Sequence, residues 1–241
     1  MQDILQLTLI AIVAFLYASV GHGGASGYLA LMVLFGTQPT LMKSSALMLN
    51  LFVSMTSFIQ FYRSGYFRWK LFYPFAITSV PLSFIGARLP ITDSLYKQLL
   101  AVALIIAIGR MLFQPSESEE DKPASLIGSL LIGAVIGLLS GMLGIGGGII
   151  LSPVILLFRW AKMKETAAIS ALFIFVNSIS GLLGLLSKGV NLNTQTIWWI
   201  AVAFVGGLFG AYFGSKRFNV PTLRYILAFV LIIACVKLYF T

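Results

Sequence analysis

Charge is what this sequence has least of. Only 10% of its 241 residues are Asp, Glu, Lys or Arg, and 59% are hydrophobic. An average soluble domain carries about 25% charged residues. A soluble globule built from this chain would lack the polar residues to coat itself. Period-two alternation over about ten residues is also missing, which excludes a transmembrane barrel. Acids are scarcest, seven in all, and none falls inside an apolar run: Asp3, Asp93 and Glu165 sit at run ends or in loops. A carboxylate proton relay or a carboxylate Na⁺ site therefore has no ligands. The single histidine, His22, excludes an H-E-x-x-H metalloprotease. The single cysteine, Cys235, allows no internal disulfide or thiolate metal cluster and reads as a small hydrophobe. No G-K-[ST] follows any glycine cluster, so a nucleotide-binding P-loop is absent. No nucleophile–base pair stands out, so neither an enzyme nor a cofactor is expected.

What remains is long apolar runs, at 4–20, 29–35, 44–62, 69–88, 95–113, 125–143, 149–158, 166–186, 195–217 and 222–240. Most reach the roughly 17–25 residues that span a bilayer core. Two, 29–35 and 149–158, are too short, and each follows a glycine cluster. The N-terminus has no basic n-region, so run 4–20 reads as part of the fold and not as a cleaved signal. The net charge of +9 sits in loops between runs, as the positive-inside rule requires; it argues for membrane topology and not for nucleic acid. The polar stretch 114–125 holds four acids and two prolines and divides the chain nearly in half.

The two halves repeat each other. Gly21-His-Gly-Gly matches Gly144-Ile-Gly-Gly, Ser45-Ala-Leu matches Ser170-Ala-Leu, and Gly86-Ala-Arg matches Gly214-Ser-Lys, with an offset drifting from 123 to 128. Loop charge discriminates between parallel and inverted repeats. If every long run crosses, the basic residues divide nine to seven between the two sides. If the first run and its short partner form one re-entrant hairpin, they divide eleven to five. The stronger asymmetry favours inversion. The expected fold is an all-α polytopic membrane protein of two inverted repeats, each a glycine-broken helical hairpin plus three transmembrane helices. The first repeat is 1–113, the acidic cytoplasmic linker 114–124, and the second repeat 125–241. Both termini lie outside.

Broken helices in inverted repeats are a transporter architecture, and irregular backbone at membrane depth must be buried or line a cavity. The two breaks are "GHGGASG" (Gly21 to Gly27) and "GMLGIGGGIILSP" (Gly141 to Pro153). A glycine turn opening a helix points amide N–H groups at the positive end of the helix dipole, which suits an anion. The same glycines also suit close helix packing. Ser26 and Ser152 follow the turns as helix caps or ligands, with Pro153 breaking the second short helix. His22 is an intramembrane ionisable group that exchanges protons near neutrality; its repeat partner is Ile145. It is a candidate for substrate contact and for proton coupling, or a structural histidine bonded to a carbonyl. Asn50, Ser54 and Ser57 form a polar stripe, as do Ser170, Asn177, Gly181 and Gly184, and Asn50 matches Asn177 at an offset of 127. Each asparagine serves substrate or an interhelical hydrogen bond. Arg63, Lys43, Arg159 and Lys164 are topology determinants or anion attractors at the entrances.

The paired "SVGHGGASGYL" and "GMLGIGGGIILSPVILL", each followed by a basic loop and a Ser-Ala-Leu run, resemble the TauE/SafE sulfite exporter family, also called TSUP transporters. The resemblance covers nearly the whole chain. It implies two related halves and movement of sulfur-containing anions such as sulfite, sulfonates or thiosulfate. It carries Gly21, Gly23, Gly24, Gly144, Gly146, Gly147 and Gly148 over as motif residues. The first motif departs from a fuller glycine run, with His22 and Ala25 where the second repeat has Ile145 and Gly148.

The sequence therefore points to a secondary transporter of a small anion in the inner (plasma) membrane. The anion would be held by Gly21, His22, Gly23, Gly24, Ser26, Asn50, Gly144, Gly146, Gly147, Gly148, Ser152 and Asn177, with no metal. Its partners are the anion, bilayer lipid and protons, and an oligomer is compatible. A passive anion channel and a non-transporting membrane scaffold are the rival readings.

Overall fold

A computed structural model describes residues 2–112, 122–189, 195–216 and 232. Most of the acidic linker, all of the apolar run 222–240 but residue 232, and Cys235 lie outside the described residues. Among those described every regular element is a helix, without a strand: α1 Gln2–Ser19, α2 Ala25–Leu34, α3 Pro39–Arg63, α4 Trp69–Arg88, α5 Asp93–Leu112, α6 Leu126–Leu143, α7 Gly148–Leu157, α8 Met163–Leu186 and α9 Gln195–Lys216. Five stretches are long and apolar enough to cross a membrane: Leu41–Arg63, Trp69–Arg88, Leu126–Leu143, Met163–Leu186 and Thr196–Ser215. The ten-residue α2 and α7 are each only about 15 Å long.

Local chemistry sets the ends. At the close of α1, His22 N–H donates to Tyr17 O and Gly21 N–H to Ala18 O, while Gly21 takes φ 77°. This is a Schellman stop, which needs a left-handed residue. The same pair of bonds ends α2 at Gly36 and α7 at Arg159. Arg159 is the sole non-glycine at positive φ among the described residues, at 58°. Pro39 opens α3, where its missing N–H costs nothing. Ser125 caps α6 by accepting from Gly128 N–H at 3.3 Å.

The helices pair across the two halves. On α6, Gly133, Gly137 and Gly141 face the backbone of Phe75, Ser79 and Ser83 on α4. On α9, Gly206, Gly210 and Gly214 face the backbone of Ala11, Phe15 and Ser19 on α1. In each pair both series ascend in steps of four, so each pair runs parallel. Small residues let these backbones touch, the usual device where lipid offers no hydrophobic drive. The centre is held by α3 and α8. Leu47 lies against Gly181, and Phe61 clusters with Ala167 and Ala168, so α3 and α8 run antiparallel. On α4 and α8, Ser180 Oγ donates to Val80 O and Lys188 Nζ to Arg88 O, so those two run parallel. Ser45 and Thr196 share a hydrogen bond of 2.9 Å, and Val53 lies beside Gly207, so α3 and α9 run parallel.

Candidate functional site

Two irregular turns, 20–24 and 144–147, meet in the middle of the molecule. Both are glycine-built because both need left-handed backbone: Gly21 and Gly24 in the first (φ 77° and 93°), Gly144, Gly146 and Gly147 in the second (75°, 71° and 77°). Gly24 is the N-cap of α2 and Gly147 of α7, and neither helix has a side-chain cap. The first N–H groups of each short helix have no intrahelical acceptor.

The turns contact the central helices in matching fashion. Gly21 lies against Ala167, four residues after the start of α8, and Gly144 against Lys43, four residues after the start of α3. These contacts lie toward the ends of α3 and α8; it is Gly23 and Gly146 that reach the centre. Each has both Asn50 and Ile174 as neighbours. A Cβ on Gly146 would stand 2.8 Å from Asn50 Nδ2 and 3.1 Å from Ser178 Oγ, and one on Gly23 would run into Asn50 Oδ1. Only glycine lets both turns approach one asparagine.

Asn50 is fully buried, and neither its Oδ1 nor its Nδ2 has a hydrogen-bond partner. Ser178 Oγ is likewise buried and unpartnered. An orphaned buried amide costs about 1–3 kcal/mol, so native structures rarely keep one without a ligand or water to satisfy it. These polar groups stand beside two helix N-termini, an arrangement suited to a small anion.

His22, one residue before Gly23, is also buried. Its Nδ1 lies 3.0 Å from Val20 O, and a carbonyl only accepts, so Nδ1 carries a proton. Its Nε2 lies 3.0 Å from Ser152 Oγ. Ser152 Oγ in turn lies 2.6 Å from Ser170 Oγ and 3.0 Å from Gly148 O. Neutral His22 can accept the Ser152 proton. Charged His22 can donate to Ser152, whose proton then goes to Gly148 O. Rotation of one hydroxyl accommodates either state.

Other expected residues take different places. Ser26 does not cap α2; its Oγ lies 2.6 Å from Tyr17 Oη. Ser152 does not cap α7 either, being one turn inside it. Pro153 does not break α7, which continues to Leu157; its missing N–H removes one ladder bond. Gly148 packs against Ile174. Asn177 faces away from the turns, toward α4: its Nδ2 donates to Ser79 Oγ at 3.1 Å and to Phe173 O at 2.8 Å. The spatial counterpart of Asn50 is Ile174. Sequence reasoning missed Ser178 as a site residue. Ser170, Ile174 and Ser178, spaced by four, make the α8 face that meets the turns. Of the entrance cations, Lys164 Nζ bonds Tyr66 Oη at 3.3 Å, and Lys43 Nζ lies 4.6 Å over the Tyr96 ring.

The family described as "Sulfite exporter TauE/SafE" matches residues 7–238. The "Probable membrane transporter protein y4hK" of Sinorhizobium fredii is 36% identical over 232 residues, covering 94% of both chains. The "Probable membrane transporter protein MJ0441" of Methanocaldococcus jannaschii is 28% identical over 138 residues, 56% of this chain and 51% of its own. The "Probable membrane transporter protein YunE" of Bacillus subtilis is 33% identical over 116 residues, 46% and 40%. No solved structure matches. With its apolar helices and this match across nearly its whole length, the chain is a multi-pass membrane transporter protein that belongs to the TauE/SafE sulfite exporter family.

Proposed function

We propose that this protein is a secondary transporter that carries a small sulfur-containing anion, such as sulfite, a sulfonate or thiosulfate, across the inner (plasma) membrane. The observation that carries the reading is Asn50: fully buried, with both carboxamide ends unpartnered, between two glycine turns that open short helices. The anion takes hydrogen bonds from Asn50 Nδ2, from Ser178 and from the free N–H groups at the starts of α2 and α7. Sulfur enters through the family's name; the geometry favours a compact anion. Two inverted repeats, each a re-entrant hairpin and three spans, supply alternating access. The antiparallel course of α3 and α8, which hold equivalent places in the two halves, supports the inversion. So does the reciprocal pairing of α1 with α9 and of α6 with α4. His22 couples transport to protons, supported by its hydroxyl chain to Ser152 and Ser170.

Reconstituted vesicles test this reading. Labelled sulfite preloaded inside should leave several-fold faster when unlabelled sulfite is placed outside. Exit indifferent to the trans anion would make the protein a channel, and no flux above empty vesicles would make it a scaffold. Across pH 5–8, His22→Gln should flatten the flux profile. An unchanged profile would remove His22 from coupling.

A further inference from the structure

Away from the central turns, a cleft of about 490 Å³ opens where α4 and α6 begin. Arg68, Trp69, Lys70, Lys122 and Trp160 line it, beside Leu71. Three segments distant in sequence build it, and specific bonds hold them together. Lys122 N–H donates to Arg159 O at 2.7 Å. Arg68 Nη1 donates to Trp160 O at 3.4 Å and to Glu165 Oε2 at 3.2 Å. Glu165 offsets Arg68, and Lys70 and Lys122 add two further positive charges. The cleft lies at the boundary where polar loop becomes apolar span, since Trp69 and Leu126 are the first residues of two membrane-length helices. Aromatic rings mark that level: Trp69 stacks on Tyr73 at 5.3 Å, and Trp160 on Phe158 at 5.0 Å. Such rings settle at the headgroup region.

Below the cleft, the outer faces of α4 and α6 are apolar and open. Tyr73, Ile77, Ile127 and Leu131 are all more than half exposed. A ligand that fits is anionic at one end and greasy at the other. We propose that this cleft binds the phosphate headgroup of an anionic phospholipid, with its acyl chains laid along the exposed faces of α4 and α6. Basic pockets between membrane helices recognise lipid phosphate in this way. Lysine supplies point charge and three donors to it. A soluble phosphate would use the cations but gain nothing from the apolar faces, so the proposal commits to lipid. It does not depend on the central anion site.

The full chain, purified in detergent, is mixed with phosphatidylglycerol, with phosphatidylcholine or with soluble glycerol phosphate, and its thermal midpoint is measured. Phosphatidylglycerol should raise the midpoint by about 5 °C or more at saturating excess. Phosphatidylcholine and glycerol phosphate should not. Both lysines are exposed, so the double variant Lys70→Gln/Lys122→Gln should fold normally and lose most of the phosphatidylglycerol shift. Lys70→Arg/Lys122→Arg should keep it. An equal shift with phosphatidylcholine, an undiminished shift in the glutamine variant, or no shift at all would overturn the proposal. An equal shift with glycerol phosphate would overturn the assignment to lipid.

Discussion

Replacing Gly141 or Gly210 by leucine should prevent the protein from accumulating in folded form. At each position a Cβ runs into a backbone carbonyl oxygen of the partner helix, Ser83 O for Gly141 and Phe15 O for Gly210. Backbone cannot rotate aside as a side-chain tip can, so the helices must separate. Overpacking of this kind costs about 1–3 kcal/mol even where the surroundings can shift. Separation here also uncouples the neighbouring glycine contacts along the same seam. Overpacking and loss of the seam together remove a large share of a total stability on the order of 5–15 kcal/mol. Alanine at either position should lower the midpoint by several degrees. The control lies on the same helix: a Cβ on Gly128 meets only Ser125, at 3.4 Å. Gly128→Ala should be neutral or gain up to about 1 kcal/mol from helix propensity. Thermal unfolding in detergent reads all of these. Equal tolerance at Gly128, Gly141 and Gly210 would refute the seam as the source of stability.

Asn50→Ala should separate function from stability. The carboxamide makes no hydrogen bond within the protein, so its removal deletes an orphaned polar group. That gain, about 1–3 kcal/mol, offsets the small cavity left behind, and alanine is the best helix former for α3. The thermal midpoint should hold or rise. Flux should fall roughly ten- to a hundredfold, because a hydrogen bond to a charged ligand contributes about 1.5–3 kcal/mol. Ser178→Ala should follow the same pattern with a smaller loss. A brace between helices behaves in the opposite way: midpoint down, flux per folded molecule unchanged. Asn177→Ala should do that, because Asn177 Nδ2 donates to Ser79 and Phe173.

These two asparagines show where sequence reading succeeds and where it stops. Runs of apolar residues place the helices: run 69–88 is α4 at Trp69–Arg88 without adjustment. The glycine clusters mark where the short helices start, since left-handed backbone at 21, 24, 144, 146 and 147 has a strong residue preference. Rotation about a helix axis is a different matter. Aligning Asn50 with Asn177 uses an offset of 127, whereas Ser45 and Ser170 align at 125. In the fold Asn50 stands opposite Ile174, an offset of 124, so the match to Asn177 overshoots by three residues, which is about 60° round the helix and turns its carboxamide toward Ser79 on α4. The same slip hid Ser178. Long-range partners were equally hidden. The four-residue glycine spacings on α6 and α9 are visible in the sequence, but nothing local says that α6 seeks α4 or that α9 seeks α1. That choice follows from interleaving the two halves, a property of the whole packing. Pro153 misled for a simpler reason: a proline removes one bond and one helix tolerates it.

Ligand-dependent stabilisation of the purified protein tests the central claim most directly. Sulfite, thiosulfate, a small sulfonate, sulfate and a carboxylate are each titrated against the thermal midpoint of the unmodified chain and of Asn50→Ala. A ligand at concentration L that binds only the folded state stabilises it by RT ln(1 + L/Kd), so the midpoint climbs with the logarithm of ligand concentration once that exceeds Kd. A compact anion held between the glycine turns predicts that one or more of the sulfur oxyanions shifts the unmodified chain, and that the same anion at the same concentration leaves Asn50→Ala where it was. Identical shifts in the two proteins, or none from any anion, would contradict a site at Asn50.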